Sequence, residues 1–166
     1  MNDAYYEQLV TRKSRPTEWL IRFLIIFILL AVLVFGLPFV GFFIIPIVLI
    51  FAVLAFYFVF PRLNVEYEYT ILNHELQIDA IYNKARRKTL LTVDIKDAEV
   101  IAPKGSSELN YFKADKTLNY TSGYPGKSVY VICVPVKQVK TAILLEPNDK
   151  MIEHIKNWTG SKFHTN

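Results

Sequence analysis

The 166-residue chain has room for one domain of ordinary size and a membrane anchor, not for two large domains. Its formal charge of +4 is mild and spread along the chain, which argues against nucleic acid as the main partner and suits an anionic lipid surface. Its one cysteine, Cys133, excludes an intramolecular disulfide and a cysteine-built zinc or iron–sulfur centre, and His74, His154 and His164 lack metal-ligand spacing, so no cofactor is expected.

Residues 1–16 are polar and mixed in charge. They read as a loose segment or as a turn of surface helix with Ala4, Tyr5, Leu9 and Val10 roughly on one side. From Phe23 to Pro61 there is no Asp, Glu, Lys, Arg or His. About 20 helical residues cross a hydrocarbon core of about 30 Å, so this block is long enough to cross twice. Gly36-Leu37-Pro38, with Gly41 close behind, carries the turn signal. The expectation is a transmembrane helical hairpin over 17–61, with helices at about 17–35 and 39–60. Pro46 should kink the second helix or mark its late start. A re-entrant hairpin with the same orientation is the main rival, since a cleaved signal peptide has a much shorter apolar region.

Trp19, Arg22, Tyr57 and Arg62 flank the block as membrane-interface anchors. The basic residues Arg12, Lys13, Arg15, Arg22 and Arg62 lie on one side of it, which places both termini in the cytoplasm and makes the protein a multi-pass cell-membrane protein. No polar side chain of the kind that transport needs lies between Phe23 and Phe56, so the block reads as an anchor. Gly36, Gly41 and Ala52 offer close approach to another helix.

After the membrane block the period changes to two. Val65, Tyr67, Tyr69 and Ile71 alternate with Glu66, Glu68, Thr70 and Leu72, and Leu76, Ile78 and Ala80 with Gln77, Asp79 and Ile81. These are two strands joined at Asn73-His74. A turn at 82–85 leads to a third strand over 87–93, and a connector at 94–97 leads to a fourth near 98–102. Residues 103–127 lack periodicity and read as a long surface excursion, with a helical turn at 106–111. Strands over 128–136 and 140–146 follow. Pro147-Asn148 opens a helix over about 148–158, with Met151, Ile152, Ile155 and Trp158 on one face and Gly160 at its end. The tail 161–166 frays. The fold class is α+β: a two-helix transmembrane hairpin, then over 62–160 an antiparallel sheet or partly closed barrel capped by the C-terminal helix.

Four site candidates stand out. Lys84, Arg86, Arg87 and Lys88 form a basic cluster in a hairpin turn, either for anionic lipid headgroups or as a solvated turn with charges guarding a hydrophobic strand. Tyr111, Phe112, Tyr120 and Tyr124 stud the long excursion, either as a binding surface or folded back on the sheet. Glu75, Asp79, Asp94, Asp97 and Glu99 read as surface carboxylates at strand edges, without the crowding that separates catalytic pKa values. Cys133, between Ile132 and Val134, reads as a buried inert thiol. No catalytic, metal-binding or small-molecule site is indicated.

The order of elements resembles bacterial pleckstrin-homology-like domains next to a transmembrane hairpin. Tyr67-Glu68-Tyr69-Thr70-Ile71, Leu76-Gln77-Ile78-Asp79, Arg86-Arg87-Lys88, the connector 93–100 and Leu145-Glu146-Pro147-Asn148-Asp149-Lys150-Met151 carry the likeness. More closely, the whole chain resembles the DUF6106 family of small membrane proteins of Gram-positive bacteria, through Met1-Asn2-Asp3, Arg62-Leu63-Asn64-Val65-Glu66-Tyr67-Glu68-Tyr69 and the Glu-Pro-Asn helix start. The resemblance implies a PH-like fold and headgroup contact by the basic turn, and carries no established activity. The expectation is a non-enzymatic, membrane-anchored module whose partners are the bilayer and a protein or a second copy of the chain. The alternative is an accessory subunit of a larger membrane complex.

Overall fold

A computed structural model describes residues 5–165, so the Met1-Asn2-Asp3 start lies outside the described residues. Tyr5–Thr11 is a strand, β1, not a loose or helical segment. It pairs antiparallel with β2, Val65–Leu72, in a register running from Tyr5 opposite Leu72 to Thr11 opposite Glu66. Val10 alternates into the core beside Tyr67 and Tyr69, and that long-range burial outweighs the weak helical stripe.

The apolar block also differs from the expectation. The two helices expected at about 17–35 and 39–60, with a turn at Gly36–Pro38, are replaced by one helical run, Pro16–Leu63, with no loop inside it. Its segments are α1 (Pro16–Val40), a 3-10 turn (Gly41–Phe43), α2 (Ile44–Leu54), a π-helical stretch (Ala55–Val59) and α3 (Phe60–Leu63). Pro38 sits inside α1. The change of direction falls at Gly41, whose φ of 63° and ψ of −154° suit glycine far better than other residues. Gly36 is small for a different reason. A Cβ there would lie 2.8 Å from Ile44 Cγ1, so α1 and α2 pack closely at that point. The run's two ends meet, because Arg22 Nη2 donates to Asn64 Oδ1 at 2.7 Å. In a straight helix those residues would stand roughly 60 Å apart.

β2, β3 (Glu75–Tyr82) and β4 (Arg86–Asp94) continue the first sheet, order β1-β2-β3-β4, with a bulge at Ile78/Asp79. β5 (Val100–Pro103), β6 (Lys116–Asn119), β7 (Tyr130–Val136) and β8 (Val139–Leu145) form the second, order β5-β7-β8-β6. β6 lies within the expected surface excursion and runs parallel to β8. The expected partly closed barrel is therefore two separate four-stranded sheets. Among the described residues no strand pairing joins β4 to β7, and an open groove of about 430 Å³ lies between Thr89–Val93 and Val134–Val136.

The core fills the space between the sheets and α4 (Asp149–Thr159). Tyr69, Ile71, Leu76 and Ile78 come from the first sheet, Ile132, Val134, Ile143 and Leu145 from the second, and Met151 and Ile155 from α4. Asn148 caps α4 by accepting from Met151 N–H at 3.0 Å. β1 holds that cap in place, since Gln8 Oε1 accepts from Asn148 N–H at 2.8 Å and Gln8 Nε2 donates to the Glu146 carbonyl at 2.8 Å. The N-terminal strand and the C-terminal helix are thus locked together across the whole chain.

Candidate functional site

The chemistry worth following gathers where the helical run meets the first sheet. Three contacts build this junction. Arg12, just after β1, pairs with the buried carboxylate of Glu18 in the first turn of α1. The same carboxylate accepts from Arg15 N–H at 3.1 Å, which satisfies one free donor at the start of α1. At the far end of the run, Asn83 N–H donates to the Asn64 carbonyl at 2.9 Å, which fastens the β3–β4 turn to the end of α3.

That turn carries the basic cluster. Asn83 and Lys84 both take left-handed backbone angles, with φ of 50° and 56°, which reverses the chain between β3 and β4. Lys84, Arg86, Arg87 and Lys88 are all exposed. They do not act as one group. Arg87 bends onto the sheet and donates to Glu68 at 2.6–2.7 Å, with Asp79 Oδ2 at 3.8 Å from its Nε. Lys84, Arg86 and Lys88 remain exposed, and Lys84 lines a recess with Leu63 and Asn64 at the end of the run.

The interface anchors lie toward the two ends of the run. Trp19, Tyr57 and Arg62 are exposed, and Arg22 lies 5.9 Å over the Trp19 ring while bonding to Asn64. Trp19, Phe23, Ile26, Phe56 and Phe60 line an apolar cleft of about 420 Å³ between the two ends of the run. Arg22, Asn64 and Asn83 form its polar end.

The loop aromatics divide. Tyr120 belongs to the core, edge-to-face on Tyr67 at 5.6 Å, and its carbonyl accepts from the buried Tyr69 hydroxyl at 2.6 Å. Phe112 is half-buried with Leu109 over Val131, Cys133 and Ala142, where it closes the outer face of the second sheet. Tyr111 is 89% exposed and Tyr124 47%. Lys13 lies 5.7 Å over the Tyr124 ring. Only Tyr111 and Tyr124 are therefore free to meet a partner.

Two residues depart from the sequence reading. Asp79, expected at the surface, is 1% exposed. It faces Glu68 across β2 and β3, and Gln77 Nε2 donates to both its oxygens at 3.0 Å. Glu68, not singled out from the sequence as a site, is 3% exposed. Burial, then a hydrogen bond with Glu7, pushes its carboxyl above the ordinary range. A hint of this cluster lies in the alternation of β2, which puts Glu66, Glu68 and Thr70 on the face away from the core. Cys133 is buried, and burial pushes its thiol up to about 11, so it is a poor nucleophile. Among the described residues no group of three or more His, Cys, Asp or Glu could hold a metal ion.

A family described as bacterial PH-like domain (DUF6106) matches residues 2–165, so the chain belongs to that family. No curated protein and no solved structure matches.

Proposed function

We propose that this bacterial PH-like chain is a non-enzymatic binding module. Its helical run lies in the cytoplasmic membrane, and its sheets sit at the cytoplasmic face with the basic β3–β4 turn against anionic headgroups. The observation that carries this is the pairing of β1 with β2. β1 precedes the helical run and β2 follows it, yet Thr11 stands opposite Glu66 in one sheet. Both ends of the run must then lie on one side of any bilayer it enters. A single crossing is incompatible with that pairing, while a double crossing or a re-entrant path is compatible. The run is 48 residues long, and none of its most apolar window is buried against the rest of the protein. A lipid environment suits such a surface.

The charges support a cytoplasmic side: Lys13, Arg15, Arg62 and Lys84 lie at the ends of the run, with Arg86 and Lys88 following on β4, as cytoplasmic residues do. Near an anionic leaflet each basic residue contributes about 1 kcal/mol, and Lys84, Arg86 and Lys88 have no carboxylate partner among the described contacts. The accessory-subunit alternative loses one support, because the close approach that Gly36 permits is already taken by Ile44 of the same chain.

The test uses the full chain in nanodiscs. An environment-sensitive dye is attached at Ala85→Cys, since Cys133 is buried and reacts slowly. The dye should shift to the blue in phosphatidylglycerol discs relative to phosphatidylcholine discs. The shift should vanish when Lys84, Arg86 and Lys88 are all changed to Gln. Identical spectra in both lipids would sink the headgroup contact. Orientation is tested separately in intact cells. Lys13→Cys and Glu153→Cys should both resist an impermeant thiol reagent until the membrane is opened, and labelling of either one alone would sink the same-side placement.

A further inference from the structure

We infer that the cleft between the two ends of the helical run binds one membrane phospholipid, with an acyl chain along Phe23, Ile26, Phe56 and Phe60 and the phosphate at Arg22. This rests on the membrane placement proposed above and assigns a ligand to it.

The cleft holds about 420 Å³, within the roughly 300–1,000 Å³ usual for small-ligand sites. Its lining is graded. Aromatic and aliphatic side chains cover the part that runs along the helices, and Arg22, Asn64 and Asn83 gather at one end. That is the polarity pattern of an amphiphile with its chain along the run and its head at the junction. Arg22 supplies the second observation. One of its terminal nitrogens bonds to the neutral Asn64, and no carboxylate pairs with it among the described ion pairs. Its charge at the polar end of the cleft therefore lacks a counter-charge, which a phosphate group supplies with charge-assisted hydrogen bonds to the guanidinium. Lys84 lies one residue beyond Asn83 and lines the adjoining recess with Arg12 and Asn64, which adds positive charge on the headgroup side. A helix from a second copy, about 10 Å across, is too broad for this volume, whereas one acyl chain is thin enough to enter.

The experiment titrates the full chain in mild detergent with phosphatidylglycerol and with phosphatidylcholine, followed by native mass spectrometry. One phosphatidylglycerol should be retained per chain, in preference to phosphatidylcholine. Arg22→Gln should weaken retention by about tenfold or more. Ile26→Trp, which fills the cleft and leaves the Arg22–Asn64 bond in place, should weaken it comparably. A loss in the second variant therefore cannot come from a broken junction. Lipid occupancy unchanged in both variants would overturn the inference. So would a lipid-free two-chain species that Ile26→Trp converts to single chains, because a second copy would then occupy the cleft. The two proposals fail separately. A dye at Ala85 that ignores lipid charge, with one lipid still retained, removes the turn contact and leaves the cleft. A responsive dye with unchanged occupancy removes the cleft and leaves the placement.

Discussion

The helical run and the sheet domain are both rich in large apolar side chains, and they use them in opposite ways. In the run Phe35 is 72% exposed and Phe39 88%, whereas in the sheets Ile71, Ile78 and Ile143 are fully buried. Burial from water is worth about 25 cal/mol per Å² of apolar surface, so a face as large as the run's is tolerable only where its surroundings are apolar too. The sheets bring their own apolar partner, each inner face meeting the other sheet or α4. Among the described residues the run has no such partner apart from its own fold-back. Identical residue types thus make a core in one region and an outward surface in the other, and the deciding factor is what lies opposite them.

The sharpest break of this contrast is to separate the regions. The first sheet does not begin after the run, because β1 comes before it. A chain starting at Arg62 lacks Val10 from the core and Gln8 from the α4 cap, and should fail to fold cooperatively. A chain in which residues 14–63 are replaced by a short Gly/Ser linker keeps Thr11 opposite Glu66 and should fold and stay soluble without detergent. Near-ultraviolet circular dichroism and thermal unfolding of the two would decide. Equal cooperativity in both would show that β1 is dispensable.

A smaller effect separates core from surface. Ile78→Ala should cost about 2–5 kcal/mol, as buried aliphatic truncations do. Val34→Ala, at a position 61% exposed in the run, should shift the domain's stability by less than about 0.5 kcal/mol. Denaturant titration of the full chain in detergent, followed through the β signal, checks both. Smaller again is Tyr69→Phe, which deprives the Tyr120 carbonyl of its buried donor and should cost about 1–3 kcal/mol. A loss below a few tenths would mean that the hydroxyl is not needed to hold the 119–123 segment on the core.

Much of the sheet domain was legible for a simple reason. β2 and β3 alternate cleanly because only one of their faces is buried, and α4 carries Met151 and Ile155 at helical spacing. The length and charge silence of the run were equally plain. What stayed hidden depends on partners far away in the chain. β1 is seven residues long and satisfies helical and strand spacing alike, and its partner lies beyond the whole run. β6 contributes one inward apolar residue, Leu118, too few to show a period. Gly36 and Gly41 look alike in sequence, but one permits close packing against Ile44 and the other reverses the backbone. For the candidate site, the basic turn was visible as a cluster. That Arg87 leaves it for Glu68 was not, because cross-strand pairing selects which charges stay free.

The smallest expected effect concerns pH, and it belongs to the sheet side of the contrast, since the run from Phe23 to Pro61 carries no acidic or basic side chain. Glu68 faces Glu7 on β1, Asp79 on β3 and Arg87 on β4, with Tyr5 behind Glu7. Burial first, and the bond with Glu7 second, hold the Glu68 carboxyl above the ordinary range, while Arg87 opposes them. A raised carboxyl favours the folded state in its protonated form. Its contribution is therefore complete below the ordinary value of about 4.3 and is lost as pH rises through the raised value. Glu7 acts in reverse. The Tyr5 hydroxyl holds it low, so its contribution is present above the ordinary value and is lost as pH falls. Thermal unfolding from about pH 4 to pH 8 should show the native chain losing stability relative to Glu68→Gln as pH rises. Arg87→Gln removes the one opposing charge and should steepen that loss. Parallel curves for all three would show that the Glu68 proton is not linked to folding.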